Sequence, residues 1–296
     1  AAAGGLRATA SFAIPEALTS ITIKHEGKNT ALSSLRVAGG STTELTATGW
    51  DYGNKVYSAD TSFTWSVSDA LGTIDEDGTF TAVQTGRDVT GTLTVTYGET
   101  SCTLPVTVGS SQPFDDTKGH WAESYITELY YAGTLQGSEK NGKLYYRPDA
   151  SMTRQEFIVA MMRYLGTDLS AYASVQLPFD DSGSIASWAK SAMQAAYQLG
   201  YLTGSKTNGK LLAKPGSPIS RQEAMTILSR TKDFADADLN VLSAFSDSGK
   251  IADWARTALA QMTQQKIISG SKGKLNPTGK VTRAEVAKML YMLSEL

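Results

Sequence analysis

The chain has 296 residues, is 41% hydrophobic and 19% charged, and carries a formal net charge of −2. That length accommodates two or three domains, and the near-neutral balance gives no reason to expect nucleic acid or an anionic membrane as a partner. No apolar run approaches the ~18 residues of a membrane span, so no membrane insertion is expected, and Cys102 stands alone, so there is no intrachain disulfide framework.

Residues 1–17, opening Ala1-Ala2-Ala3-Gly4-Gly5, read as a linker or a processed N-terminus. From Leu18 to Gly109 short apolar–polar alternations are broken by turn residues. Ile21-Thr22-Ile23, Glu44 to Thr48, Phe63 to Val67, Thr92 to Tyr97 and Thr103 to Val108 each show the period-two signature of a half-buried strand. Gly72 to Phe80 reads as a hairpin turning at Asp77-Gly78. About seven short strands predict a β-sandwich over 18–109, with Trp65 as its largest core side chain. Asp75, Glu76 and Asp77 read as solvated turn formers, since further calcium-ligand spacing is missing. Neither a metal nor a cofactor is expected. Trp65-Ser66-Val67-Ser68, Gly72-Thr73-Ile74, the run from Asp77 to Ala82 and the closing Val95-to-Val108 hairpin resemble bacterial immunoglobulin-like domains, which serve as spacers in surface proteins.

From Pro113 onward the chain repeats itself three times. Phe114-Asp115-Asp116 returns as Phe179-Asp180-Asp181 and Phe245-Ser246-Asp247, and each is followed by a tryptophan: Trp121, Trp188 and Trp254. Beyond each tryptophan, Ile126, Met193 and Leu259, then Leu129, Ala196 and Met262, step along one helical face. Gly133 and Gly200 end the first two of these helices at C′, whereas Lys266 occupies that place in the third, which is expected to end differently. Next come Gly137-Ser138, Gly204-Ser205 and Gly270-Ser271, then polar loops closing on Gly142-Lys143, Gly209-Lys210 and Gly273-Lys274. A proline precedes each second helix (Pro148, Pro215, Pro277), which opens on Thr153-Arg154-Gln155-Glu156, Ser220-Arg221-Gln222-Glu223 or Thr282-Arg283-Ala284-Glu285.

Each of these openings is a capping box: the hydroxyl accepts from the N3 backbone N–H and the glutamate reaches back to the N-cap. The box does not account for the arginine at N1, because a cation there opposes the helix dipole. Its triplication is a functional hint, with the side chain expected to point away from the core.

The order Phe-Asp-Asp, His120-Trp121-Ala122, Gly137-Ser138, Pro148 and Thr153-Arg154-Gln155-Glu156, found three times, resembles the S-layer homology domain. Repeats at 113–166, 178–231 and 244–296 make up an α-helical segment spanning 110–296. The predicted fold is therefore multidomain β + α, an Ig-like sandwich followed by an all-α pseudo-threefold bundle. The resemblance implies a three-pronged helical spindle. It also implies non-covalent tethering of an extracellular bacterial surface protein to a cell-wall polysaccharide, often one carrying pyruvylated N-acetylmannosamine, with the arginines meeting the anionic sugar in grooves between prongs.

Residue chemistry fits that role. Arg154, Arg221 and Arg283 offer planar donor forks suited to a carboxylate, and backbone N–H groups at a helix start favour an anion in the same place. Trp121, Trp188 and Trp254 fit either a core anchor or a sugar platform. Gly137, Gly204 and Gly270 fit turns or close ligand approach, with the Ser138, Ser205 and Ser271 hydroxyls beside them. Lys143, Lys210 and Lys274 add mobile charge. Asp116, Asp181 and Asp247 fit sugar hydroxyls or loop capping. Acid/base carboxylate pairs, nucleophile elbows and metal-binding His/Cys spacings are missing, so the chain is expected to be non-catalytic. Two alternatives remain: the C-terminal anchor of a larger secreted hydrolase with its catalytic domain upstream, or a complete small surface protein that adheres or self-associates into a lattice.

Overall fold

The computed structural model describes residues 17–57 and 62–296; all but the last residue of the expected linker at 1–17 lies outside the described residues. The chain forms two compact units, dividing between Ser111 and Gln112.

In the first unit the strands are β1 Ser20–His25, β2 Leu35–Ala38, β3 Thr42–Trp50, β4 Thr64–Val67, β5 Gly72–Ile74, β6 Thr79–Ala82, β7 Val89–Tyr97 and β8 Thr100–Gly109. They form two four-stranded sheets, ordered β1-β3-β6-β5 and β2-β8-β7-β4. All pairings are antiparallel except β2 with β8. Alternation decides the core: Ile21 and Ile23, Leu93 and Val95, and Leu104, Val106 and Val108 all turn inward and are buried. They meet Leu45, Leu71 and Phe80 in one cluster. Trp65 is not the largest buried side chain; it is partly exposed at the edge of this cluster, and Phe80 is fully buried instead. Asp75 Oδ1 accepts from the backbone N–H groups of Asp77 and Thr79, at 3.1 and 2.8 Å, so this carboxylate organises the turn.

The second unit corrects the all-α expectation. In chain order it contains α1 Glu123–Tyr131, strands β9 Ser138–Lys140 and β10 Lys143–Tyr145, α2 Arg154–Tyr164, α3 Lys190–Gln198, strands β11 Ser205–Thr207 and β12 Lys210–Leu212, α4 Arg221–Leu228, α5 Asp253–Gln264 and α6 Arg283–Ser294. The loops between paired helices in the first two repeats are antiparallel hairpins, so two of the four sheets among the described residues lie where polar loops of an all-α bundle were expected. The third repeat keeps a single bridge, Ser271 with Lys274. The physical reason is legible in the turns: Asn141-Gly142, Asn208-Gly209 and Lys272-Gly273 all have positive φ at both residues. That is the type I′ turn, whose twist matches paired strands.

The helix ends also need one correction. Lys266, with φ of 57°, takes the same left-handed position as Gly133 and Gly200, so the third helix ends as the others do despite its side chain.

Closure comes from the residues before each cap. Met152 N–H donates to Val281 C=O, Val281 N–H to Ile219 C=O, and Ile219 N–H to Met152 C=O, each at 3.0 Å. These three residues are buried, and the ring they form ties the repeats head to tail. A single apolar cluster runs through all three repeats.

Candidate functional site

Capping boxes open α2, α4 and α6, as the hydroxyl–x–x–Glu spacing dictates. The glutamates do more than cap. Glu156, Glu223 and Glu285 each turn Oε2 back to the N-cap N–H, at 2.8, 2.8 and 3.0 Å. Their Oε1 atoms meet an arginine of another repeat: Arg154 to Glu223 at 2.9 Å, Arg221 to Glu285 at 2.8 Å and Arg283 to Glu156 at 3.5 Å. The three pairs close a second cycle around the unit.

The arginines therefore do not point away from the core. Arg154 is buried, and its Nε donates to Ala213 C=O at 2.9 Å. Burial pulls its pKa below the ordinary arginine value, against the opposing pull of Glu223 and Asp181. Arg283 Nε donates to Tyr146 C=O at 2.7 Å and Nη2 to Gln136 C=O at 3.0 Å, with the guanidinium stacked 4.6 Å from the Tyr146 ring. The expected partnership with helix N–H groups is also corrected. The N1 and N2 amides donate to carbonyls of the neighbouring repeat, as in Arg154 to Ser217, Arg221 to Gly279 and Arg283 to Ala150, so these donors are not available to an anion.

Three cavities lie between the repeats, each lined by residues from all three. The first, about 360 Å³, joins Arg154, Gly204-Ser205 and Glu223, and Trp254. The second, about 690 Å³, joins Arg221, Gly270-Ser271 and Glu285, and Trp121. The third, about 260 Å³, joins Arg283, Gly137-Ser138 and Glu156, and Trp188. The tryptophans are not core anchors: Trp121, Trp188 and Trp254 are 56%, 58% and 57% exposed. Indole faces at such exposure are available to a ring with an apolar side.

The glycines have a structural cause. A Cβ on Gly137 would collide with the Phe114 ring, and one on Gly204 or Gly270 would come within 2.6 or 2.8 Å of the Phe179 or Phe245 ring. The phenylalanine of each Phe-x-Asp thus demands the glycine of its Gly-Ser pair. The aspartates are engaged likewise. Asp116 accepts from Tyr146 and Arg147 N–H, Asp181 from Ala213 and Lys214, and Asp247 from Leu275 and Asn276, at 2.7–2.9 Å. These contacts hold the exit of each loop rather than the start of the first helix. Of the lysines, Lys274 lines a cavity; Lys143 pairs with Asp115 at 2.8 Å, and Lys210 is exposed on β12.

Sequence reasoning missed a second set of cations. Arg230 lines the first cavity, Lys272 and Lys288 the second, and Arg147 and Arg163 the third. Arg163 and Arg230 follow Arg154 and Arg221 at the same nine-residue interval, a signal present in the repeat. Burial lowers the pKa of both, and the positive charge of Arg154 lowers that of Arg230 further. Two facing cations in a half-buried groove favour an anion between them.

Comparison with known proteins fits this geometry. Residues 113–158, 178–225 and 244–287 match the S-layer homology domain. The chain carries three S-layer homology domains. An amylopullulanase of Thermoanaerobacterium thermosulfurigenes is 28% identical over 68% of the chain and 10% of its own length. Exoglucanase XynX of Acetivibrio thermocellus is 28% identical over 79% of the chain and 21% of its own length. A surface-layer 125 kDa protein of Lysinibacillus sphaericus is 33% identical over 61% of the chain and 15% of its own length. The chain thus spans roughly a tenth to a fifth of these relatives, and the S-layer homology domains account for the family match.

Proposed function

We propose that this chain anchors a bacterial surface protein to the cell wall by binding an anionic wall polysaccharide in the three grooves, with pyruvylated N-acetylmannosamine as the favoured class. The observation that carries the reading is the make-up of each groove: more bases than acids, with an exposed indole at the rim. A guanidinium or ammonium meets a pyruvyl carboxylate, and the indole covers the apolar face of a pyranose ring. Arg154, Arg221 and Arg283 shape the groove walls through their glutamate pairs, and Arg163, Arg230 and Lys288 bring further charge to the ligand. The Gly-Ser hydroxyls contribute at the floor, and Lys274 joins them in one groove. The described aspartates act indirectly by fixing the loops.

The β unit fits an immunoglobulin-like spacer holding the anchor away from its cargo. Hydrolase names among the relatives favour a cargo that is a secreted glycosidase, with the catalytic domain elsewhere in the protein. The surface-layer relative favours a lattice protein instead. Assay of the native protein from its source for glycosidase activity separates these two.

Calorimetric titration with purified wall polysaccharide, intact and depyruvylated, tests the anchor. Binding that needs the pyruvyl group supports it, and no binding to any wall fraction refutes it.

A further inference from the structure

We infer that the three grooves divide the work, and that the groove containing Arg221 is the one that closes on a carboxylate-bearing sugar, by reorientation of the Arg221 guanidinium. The inference rests on the wall-polysaccharide reading and goes beyond it in naming one groove and one moving side chain.

Three observations single this groove out. Arg154 and Arg283 each anchor Nε on a backbone carbonyl as well as Nη1 on a glutamate. Arg221 keeps the glutamate pair, but its Nε is buried without a hydrogen-bond partner. An unmet buried donor on a charged group is costly, so a rotation that brings it to a ligand carboxylate removes a penalty already present. The other two arginines would have to break a further bond, from Nε to a backbone carbonyl.

Next, the cavity is the largest of the three, at about 690 Å³ against 360 and 260 Å³. It has room for a sugar and for the side chain to move. Finally, Lys272, Lys274 and Lys288 line it against one acid, Glu285, itself paired with Arg221. The third repeat also lacks a full hairpin here, keeping only the Ser271–Lys274 bridge. In the other two grooves the arginine is a fixed tie between repeats; in this one it is a ligand-responsive group.

The test uses the full chain and the methyl glycoside of pyruvylated N-acetylmannosamine as probe. Side-chain Nε–Hε resonances of Arg154, Arg221 and Arg283 are followed by NMR during titration, assigned with single Arg→Lys variants. The expected result is a saturable shift of the Arg221 signal with smaller movement of the other two. Calorimetry should show at least a tenfold loss of affinity in Lys274→Gln/Lys288→Gln, at one exposed and one half-buried lysine outside the arginine–glutamate ties, a smaller loss in Arg230→Gln, and less than threefold in the exposed Lys210→Gln. If the probe binds and the largest responses come from Arg154 or Arg283, or from Arg230→Gln, the division of labour is overturned while the anchor stands. If the probe binds nowhere and wall polysaccharide binds nowhere, both fall. Binding of the polysaccharide without binding of the probe overturns the carboxylate assignment for this groove.

Discussion

Each glutamate at a helix start serves two neighbours at once, one oxygen holding its own cap and the other an arginine of a different repeat. The arginine that looked unfavourable at N1 is explained by this pairing, and no property of a single repeat reveals it. Arg283→Ala should therefore destabilise the second unit by about 2 kcal/mol in urea unfolding. That is below the ~3–5 of a fully buried pair, because Glu156 is 32% exposed. Glu128 offers a pH test. Burial raises its pKa above the ordinary glutamate value of 4.5, the Tyr291 hydrogen bond opposes this, and Glu295 adds to it. The folded state then holds the proton to higher pH than the unfolded state, so stability should fall as pH rises through the window above 4.5. Thermal melts of Glu128→Gln across that window should show a flatter profile than the parent.

At the level of elements, the helices were legible from a 3.6-residue stripe and from cap spelling, and the β1, β7 and β8 strands from period two. The hairpins β9–β10 and β11–β12 were not, because each strand is three residues long: β9 and β11 are exposed and polar, and the two half-buried apolar residues of β10 and of β12 are too few to show a period. Their signal lay in the Asn-Gly turns alone. The β2 strand was lost for a similar reason: four residues suffice when a parallel partner, β8, supplies the pairing. Gly142→Ala should disturb the first hairpin without a steric clash, since the space around it is open and φ is 71°. The expected loss is about 1 kcal/mol, read by urea midpoint. Gly270→Ala should cost more, because φ of 67° is joined by contacts of 2.7 and 2.8 Å with the Lys274 carbonyl and the Phe245 ring. Of the candidate groove, the tryptophans and Gly-Ser pairs were readable from repetition. Arg163 and Arg230 were readable too, from their shared nine-residue interval, but Lys288 was not, because Val159 and Thr226 stand at its place in the other copies.

Across the second unit, the Met152–Val281–Ile219 ring makes the three repeats mutually dependent, unlike a linear solenoid in which each repeat touches only its sequence neighbours. Deleting residues 244–296 leaves the Met152 N–H and the Ile219 carbonyl without their partners and strips Glu156 of its arginine. The expected outcome is loss of the cooperative helical transition in circular dichroism melts, rather than a two-thirds-sized remnant. The mixed ancestry of each cavity has a further consequence for engineering and for divergence. One cavity takes its arginine from one repeat, its glycine–serine floor from a second and its indole from the third. Exchanging a whole repeat between two such proteins would therefore not transplant a binding specificity. It would produce three chimaeric sites, each one-third foreign, so recognition can only be transferred by grafting surfaces across repeats while the repeat boundaries stay where they are.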